Sequence, residues 1–134
     1  MKRTNQLGEP TLLVVDDDTH VRNIMEETLT TWGYTVETAC NGQEGLQVIH
    51  AHHMDGIFLD VNMPVMNGRT MLDRLRWLEF RGPVIMMSGG LDRKELGRFL
   101  QEGAEGVLTK PFSLPSLKRV CEHLFSRARV PTSP

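Results

Sequence analysis

Three consecutive aspartates, Asp16, Asp17 and Asp18, together with Asp60, Ser88 and Lys110, are the residues whose types could do chemistry together. Each group follows a short apolar run: LLVV before Asp16, IFL before Asp60, VIMM before Ser88 and VLT before Lys110. Taken singly they are ordinary. An aspartate after a strand is commonly a helix cap or a turn residue, Ser88 a turn residue and Lys110 a surface charge. Brought to one place they would form a distinctive set. Carboxylates forced together repel, and their pKa values rise unless a cation joins them. A hard divalent cation such as Mg²⁺ takes oxygen ligands of this kind. A carboxylate oxygen can also act as a nucleophile and carry an acyl phosphate. Lys110 could pair with Asp60 at rest and with a phosphate oxygen later, and Ser88 could donate to another oxygen. Asp18, or Thr19 beside it, is better read as the cap of the first helix.

The elements that must position these groups follow a regular rhythm. Apolar runs begin at Leu12, Tyr34, Ile57, Val84 and Val107, roughly every two dozen residues, which is room for a strand, a loop and a helix of three or four turns. The segments between have helical period. Val21, Ile24, Met25, Leu29 and Trp32 share a face, with Gly33 as a stop signal. Met71, Leu75 and Leu78 mark a third helix, and Leu96, Phe99 and Leu100 a fourth that ends at Gly103. Leu117, Val120, Cys121, Leu124 and Phe125 mark a fifth, with Ser113 as N-cap. The second helix, after Asn41, is the weakest because of Gly42 and Gly45. Strands one, three and four are continuously apolar, as parallel strands covered on both faces should be. Strand two, Tyr34 to Thr38, alternates with polar residues and suits an edge.

The fold class this predicts is α/β: a three-layer, doubly wound, five-stranded parallel sheet of (βα)5 type. In such sheets ligands bind beyond the carboxyl ends of the strands, where the reactive residues stand. Residues 1–10 read as a flexible leader, 11–126 as the folded domain, and 127–134 as a flexible tail or linker stub.

Composition narrows the function classes. The chain has 134 residues, 40% of them hydrophobic, and a net charge of −2. That is one domain with a sizeable core. Nothing in the charge favours nucleic-acid binding. The apolar runs are too short to span a bilayer, and the N-terminus has no apolar signal-peptide region. Cys40 and Cys121 lie far apart and match no CxxC pattern, which disfavours a disulfide scaffold. A cytoplasmic location without membrane association is the expectation.

Four motifs carry a family resemblance: LLVVDDD at 12–18, FLDVNMPVMNG at 58–68, VIMMSGG at 84–90 and LTKPF at 108–112. Each is weak alone, but in this order and spacing the chain, from about Thr11 to Ser126, resembles the receiver domain of two-component response regulators. The resemblance implies the flavodoxin-like, CheY-like version of the fold. It implies Asp60 as phosphoacceptor, with Mg²⁺ (or Mn²⁺) held by Asp16, Asp17, Asp60 and the backbone carbonyl of Asn62. Ser88 and Lys110 would bind the phosphoryl group. Pro111 matches a proline that often follows a cis bond, and Gly68 would allow a tight turn into helix three. The implied partners are a histidine kinase or phosphotransfer protein and a downstream protein or fused output domain. The resemblance further implies that the domain itself binds neither nucleic acid nor membrane and is a monomer or weak dimer. Such a domain catalyses only its own phosphorylation and dephosphorylation. It signals through the surface of helix four, strand five and helix five.

Two departures from the family pattern stand out. Val107 occupies a position where the family usually has an aromatic ring, and Gly90 lacks a side chain where relatives often carry one that influences hydrolysis. Three other readings compete. A phosphatase of the haloacid dehalogenase type would need a D-x-D-x-T/V motif, and Asp16-x-Asp18-x is followed by His20. A flavodoxin-like cofactor binder would need a phosphate cradle where three aspartates stand. A phosphorylation-independent interaction module is kept open by Val107. The remaining features have plain explanations. His50, His52 and His53 read as a polar helix end and the methionines as core filler. Trp77 reads as packing against neighbouring helices. The basic residues Arg93, Lys94, Arg98, Lys118 and Arg119 read as a solvated face able to dock a partner.

Overall fold

The computed structural model describes residues 9–90 and 92–125. Most of the expected leader and all of the expected tail lie outside these residues. Five strands alternate with five helices: β1 (Thr11–Val15), α1 (Thr19–Thr31), β2 (Thr35–Ala39), α2 (Gly42–Ala51), β3 (Gly56–Asp60), α3 (Gly68–Trp77), β4 (Val84–Ser88), α4 (Arg93–Gln101), β5 (Gly106–Thr109) and α5 (Leu114–Leu124). All strands pair in parallel, in the order β2-β1-β3-β4-β5. Strand order therefore reverses between β1 and β3, which places the switch point between β1, which Asp16 follows, and β3, which Asp60 ends. At the N-terminal end, Pro10 already belongs to the sheet: it is buried, and its carbonyl accepts from Thr35 N–H at 3.1 Å.

The two-residue period of a strand divides the core between the faces of the sheet. Leu13, Val15, Ile57, Leu59, Val84 and Met86 pack with Met71, Leu72, Leu75 and Phe99 on one side. Leu12, Val14, Phe58, Ile85 and Met87 pack with Met25, Leu29, Leu117, Cys121 and Phe125 on the other. The Phe58 and Phe125 rings meet edge to face, with centroids 5.6 Å apart. Six of the eight methionines, Met25, Met54, Met63, Met71, Met86 and Met87, are buried, as core filler should be.

Helix ends follow the local chemistry. Asp18, not Thr19, caps α1, and Ser113 caps α5. Gly33 and Gly103 take φ values of 100° and 107° just beyond α1 and α4, where a Cβ would be strained. His50 and His52 do lie at the polar end of α2, and His53 pairs with Asp55 at 2.9 Å. The glycines that weaken α2 have a packing reason. A Cβ on Gly42 would lie 2.9 Å from the Met66 side chain, and one on Gly45 2.9 Å from Met71 Cε. Close approach of α2 to its neighbours offsets poor helix propensity.

Several expectations need correction. Trp77 does not pack between helices; it is 85% exposed. Met71, Leu72 and Leu75 set the buried stripe of α3, and Trp77 falls off that stripe. Leu78 is the C-cap of α3 and is exposed, as are Ile24 and Leu100 at the margins of their helices. Phe99 alone among α4 residues is fully buried. Strand two begins at Thr35, one residue later than Tyr34, which instead sits buried before it.

Candidate active site

Short strand-to-helix loops bring the reactive residues to one edge. Asp16 is fully buried. Its N–H donates to the Ala39 carbonyl at 3.1 Å, and its Oδ1 accepts from Asp18 N–H at 2.9 Å. Asp60, the last residue of β3, is 5% exposed, and Asp17 is exposed. One ligand oxygen from each of Asp16, Asp17 and Asp60 lies within 4.8 Å of the others.

Lys110 bridges this cluster. Its Nζ donates to Asp16 Oδ2 at 2.7 Å and to Asp60 Oδ1 at 3.3 Å. The resting partner is thus chiefly Asp16, where the sequence pointed to Asp60. Lys110 follows β5 directly, and its N–H donates to the Ser88 carbonyl at 2.8 Å, so the lysine is registered against β4. The Lys110–Pro111 peptide is cis. Ser88 is buried at the end of β4, and its Oγ accepts from Gly90 N–H at 3.3 Å. Asn62 is exposed on the loop that follows Asp60.

The charges are underbalanced. Burial raises the Asp60 carboxyl to about 6, the Asp16 charge adds to the rise, and Lys110 opposes it. Burial alone would lower the Lys110 ammonium, but its bond to Asp16 and the charges of Asp16 and Asp60 outweigh that and hold it above its ordinary value. Three carboxylates face one ammonium, with hard oxygen donors on offer. That donor set fits a divalent cation of the Mg²⁺ or Mn²⁺ type.

The loop after Asp60 is shaped by a close approach. Gly68 opens α3 without a positive φ, so the expected tight turn is not its reason. A Cβ there would overlap the Asp60 carbonyl oxygen and lie 2.9 Å from Val61 Cα. Gly89 and Gly90 are the opposite case, with open space around any added Cβ. Val107 is half-buried on β5 and borders a groove of about 530 Å³ with Thr109, Phe112, Ser116, Arg119 and Val120.

The family model described as the response regulator receiver domain matches residues 12–122. The chain belongs to this family. Its receiver fold is close to that of solved relatives. The receiver domain of the Francisella response regulator 1452 superposes with a TM-score of 0.84 at 30% identity, covering 89% of this chain and 98% of that one. The chemotaxis protein CheY4 of Vibrio cholerae gives 0.82 at 32% identity, covering 87% and 99%. Among curated proteins, the receiver is 37% identical over 116 residues to a probable transcriptional regulator, ycf27, of Cyanidium caldarium. It is 34% identical over 118 residues to the sensor histidine kinase RcsC of Escherichia coli. These matches cover 87% and 88% of this chain but only 46% and 12% of the relatives. The chain therefore spans less than half the length of either. Among the described residues of the receiver, no helix is long and apolar enough to cross a membrane.

One side chain at this edge was missed from sequence. Arg22, one turn into α1, donates from Nη1 to the Asp16 carbonyl at 2.7 Å. Its signal was present: a helical side chain leans back toward the N-terminus, so an arginine early in α1 can reach the loop before it.

Proposed function

We propose that this receiver accepts a phosphoryl group from a phosphohistidine onto Asp60, with Mg²⁺ or Mn²⁺ held by Asp16, Asp17, Asp60 and the Asn62 carbonyl. The observation that carries this reading is the Lys110 bridge between Asp16 and Asp60 beside Asp17, at the switch point of the sheet. An Asp60 oxygen attacks phosphorus, the P–O bond forms as the P–N bond breaks, and the imidazole leaves and takes up a proton. With its pKa near 6, Asp60 is mostly ionised at neutral pH and able to attack. The cation, when bound, offsets charge on the phosphoryl oxygens. Lys110 is placed to leave Asp60 for a phosphoryl oxygen while keeping its shorter bond to Asp16. Ser88 supplies a hydroxyl to another oxygen, after which the β4–α4 loop and the α4, β5 and α5 surface shift.

A groove of about 330 Å³ beside Lys110, lined by Val21, Ile24, Met25, Pro111 and Phe112, offers apolar surface to a donor protein. The partners are a histidine kinase or phosphotransfer protein on the input side and a downstream protein or fused domain on the output side. The domain turns over no free metabolite, and it acts in the cytoplasm.

The test is intact mass after incubation with acetyl phosphate, with Mg²⁺ and with EDTA, for wild type and Asp60→Asn. A Mg²⁺-dependent gain of one phosphoryl group, absent from the variant, is expected. A stoichiometric gain on Asp60→Asn would overturn the assignment.

A further inference from the structure

Arg22 touches none of the atoms that would bind phosphorus or metal, yet it is tied to the loop that presents two of the three carboxylates. Its Nη1 donates to the Asp16 carbonyl at 2.7 Å, and its Nη2 donates to Thr19 Oγ1 at 3.0 Å. A guanidinium fork holding two acceptors fixes their relative placement better than a point charge can. The side chain is half-buried, and its own N–H makes a helical bond to Asp18 at 3.0 Å. Arg22 thus spans the loop from Asp16, through the cap, into the first turn of α1.

The consequence falls on Asp17. Asp16 is held by its N–H, by both carboxylate oxygens and, through Arg22, by its carbonyl. Asp17 is exposed, and among the described residues no hydrogen bond holds its carboxylate. Only its backbone aims its Cα–Cβ bond, and the peptide that precedes it is the one whose carbonyl Arg22 grips. We propose that Arg22 is a positioning residue for the metal: by clamping the Asp16 peptide it aims the Asp17 carboxylate into the cluster with Asp16 and Asp60.

This inference rests on the metal reading above, and it makes a prediction opposite in sign to simple electrostatics. A cation beside an acidic cluster repels a second cation, so a pure charge effect would let metal bind more tightly once Arg22 is gone. A positioning effect predicts weaker binding. Partners that orient metal ligands typically matter by about 10–100-fold in affinity.

Mn²⁺ affinity is measured by electron paramagnetic resonance of the free ion, at a temperature well below unfolding. Wild type, Arg22→Met, Arg22→Lys and Asp17→Asn are compared, with Tm recorded in EDTA for each. Arg22→Met should bind Mn²⁺ about tenfold more weakly or worse. Arg22→Lys keeps the charge but cannot hold both acceptors at once, so it should fall between Arg22→Met and wild type. Tighter binding by Arg22→Met with wild-type affinity in Arg22→Lys would overturn the proposal in favour of a charge effect. Unchanged affinity with a lowered Tm would overturn it in favour of a purely structural role. Wild type that fails to bind Mn²⁺, or binds it equally well as Asp17→Asn, would instead sink the metal reading, and it does so without any Arg22 variant.

Discussion

Asp60 carries a stability cost that can be measured without any phosphodonor. Burial and the neighbouring Asp16 move its carboxyl from 3.8 to about 6 in the folded protein. Because the folded pKa lies above the unfolded one, the folded state binds more protons between those values. Stability from this group therefore rises as pH falls from above 6 toward 4, and the cost is fully present at pH 7.5. The rise from 3.8 to about 6 corresponds to about 3 kcal/mol at 1.4 kcal/mol per pH unit. Asparagine resembles the protonated acid in shape and charge, so Asp60→Asn should recover up to about 3 kcal/mol at pH 7.5. Lys110 keeps its shorter bond to Asp16 in the variant. The assay is urea unfolding in EDTA at pH 7.5 and pH 4.5. With a slope of about 2 kcal/mol per molar urea, the variant midpoint should rise by up to about 1.5 M at pH 7.5. At pH 4.5 the gap should shrink to about 1 kcal/mol, and it should close only below the unfolded value of 3.8. Saturating Mg²⁺ should narrow the gap at pH 7.5 by stabilising chiefly the wild type. A variant no more stable than wild type at pH 7.5, or a gap that persists unchanged at pH 4.5, would refute the reasoning.

Removing the cation should act in the other direction. Lys110→Met leaves the fully buried Asp16 without its 2.7 Å partner and should cost about 3–5 kcal/mol at pH 7.5 in the same urea assay. Gly68→Ala drives a methyl group into the Asp60 backbone; a loss of about 1–3 kcal/mol and slower acetyl phosphate labelling are expected, and a variant normal in both would refute the close-approach argument. Gly90→Asn meets no neighbour and should hold stability within about 0.5 kcal/mol in the same urea assay. Trp77→Ser, at a residue 85% exposed, should shift stability by less than about 0.5 kcal/mol, against about 3 kcal/mol for the buried Phe99→Ala.

The sequence by itself determined the alternation of strands and helices, because period and punctuation are local. Continuous apolar runs required strands covered on both faces, and Gly33, Gly103, Asp18 and Ser113 marked helix ends by chemistry within a few residues. It also determined the family, since LLVVDDD, FLDVNMPVMNG, VIMMSGG and LTKPF stand in that order at the ends of β1, β3, β4 and β5.

What only the tertiary structure decided depends on distances across the chain. Whether Lys110 would lean toward Asp16 or Asp60 turns on the register of β5 against β4 and of β1 against β3. The 94-residue separation of Lys110 and Asp16 carries no local signal of their 2.7 Å contact. Gly42, Gly45 and Gly68 read as weak helix formers or turn residues until the elements pressing on them were in place. Leu78 fits the apolar stripe of α3 and Trp77 reads as packing against neighbouring helices, yet both side chains are left to solvent. Arg22 looked like one more charged helix residue, and became an anchor of the acidic loop only once α1 began at Thr19 with its first turn folded back against the Asp16 carbonyl. Local sequence sets which way a side chain faces along its own element; which partner it meets there is set by how the sheet orders its strands.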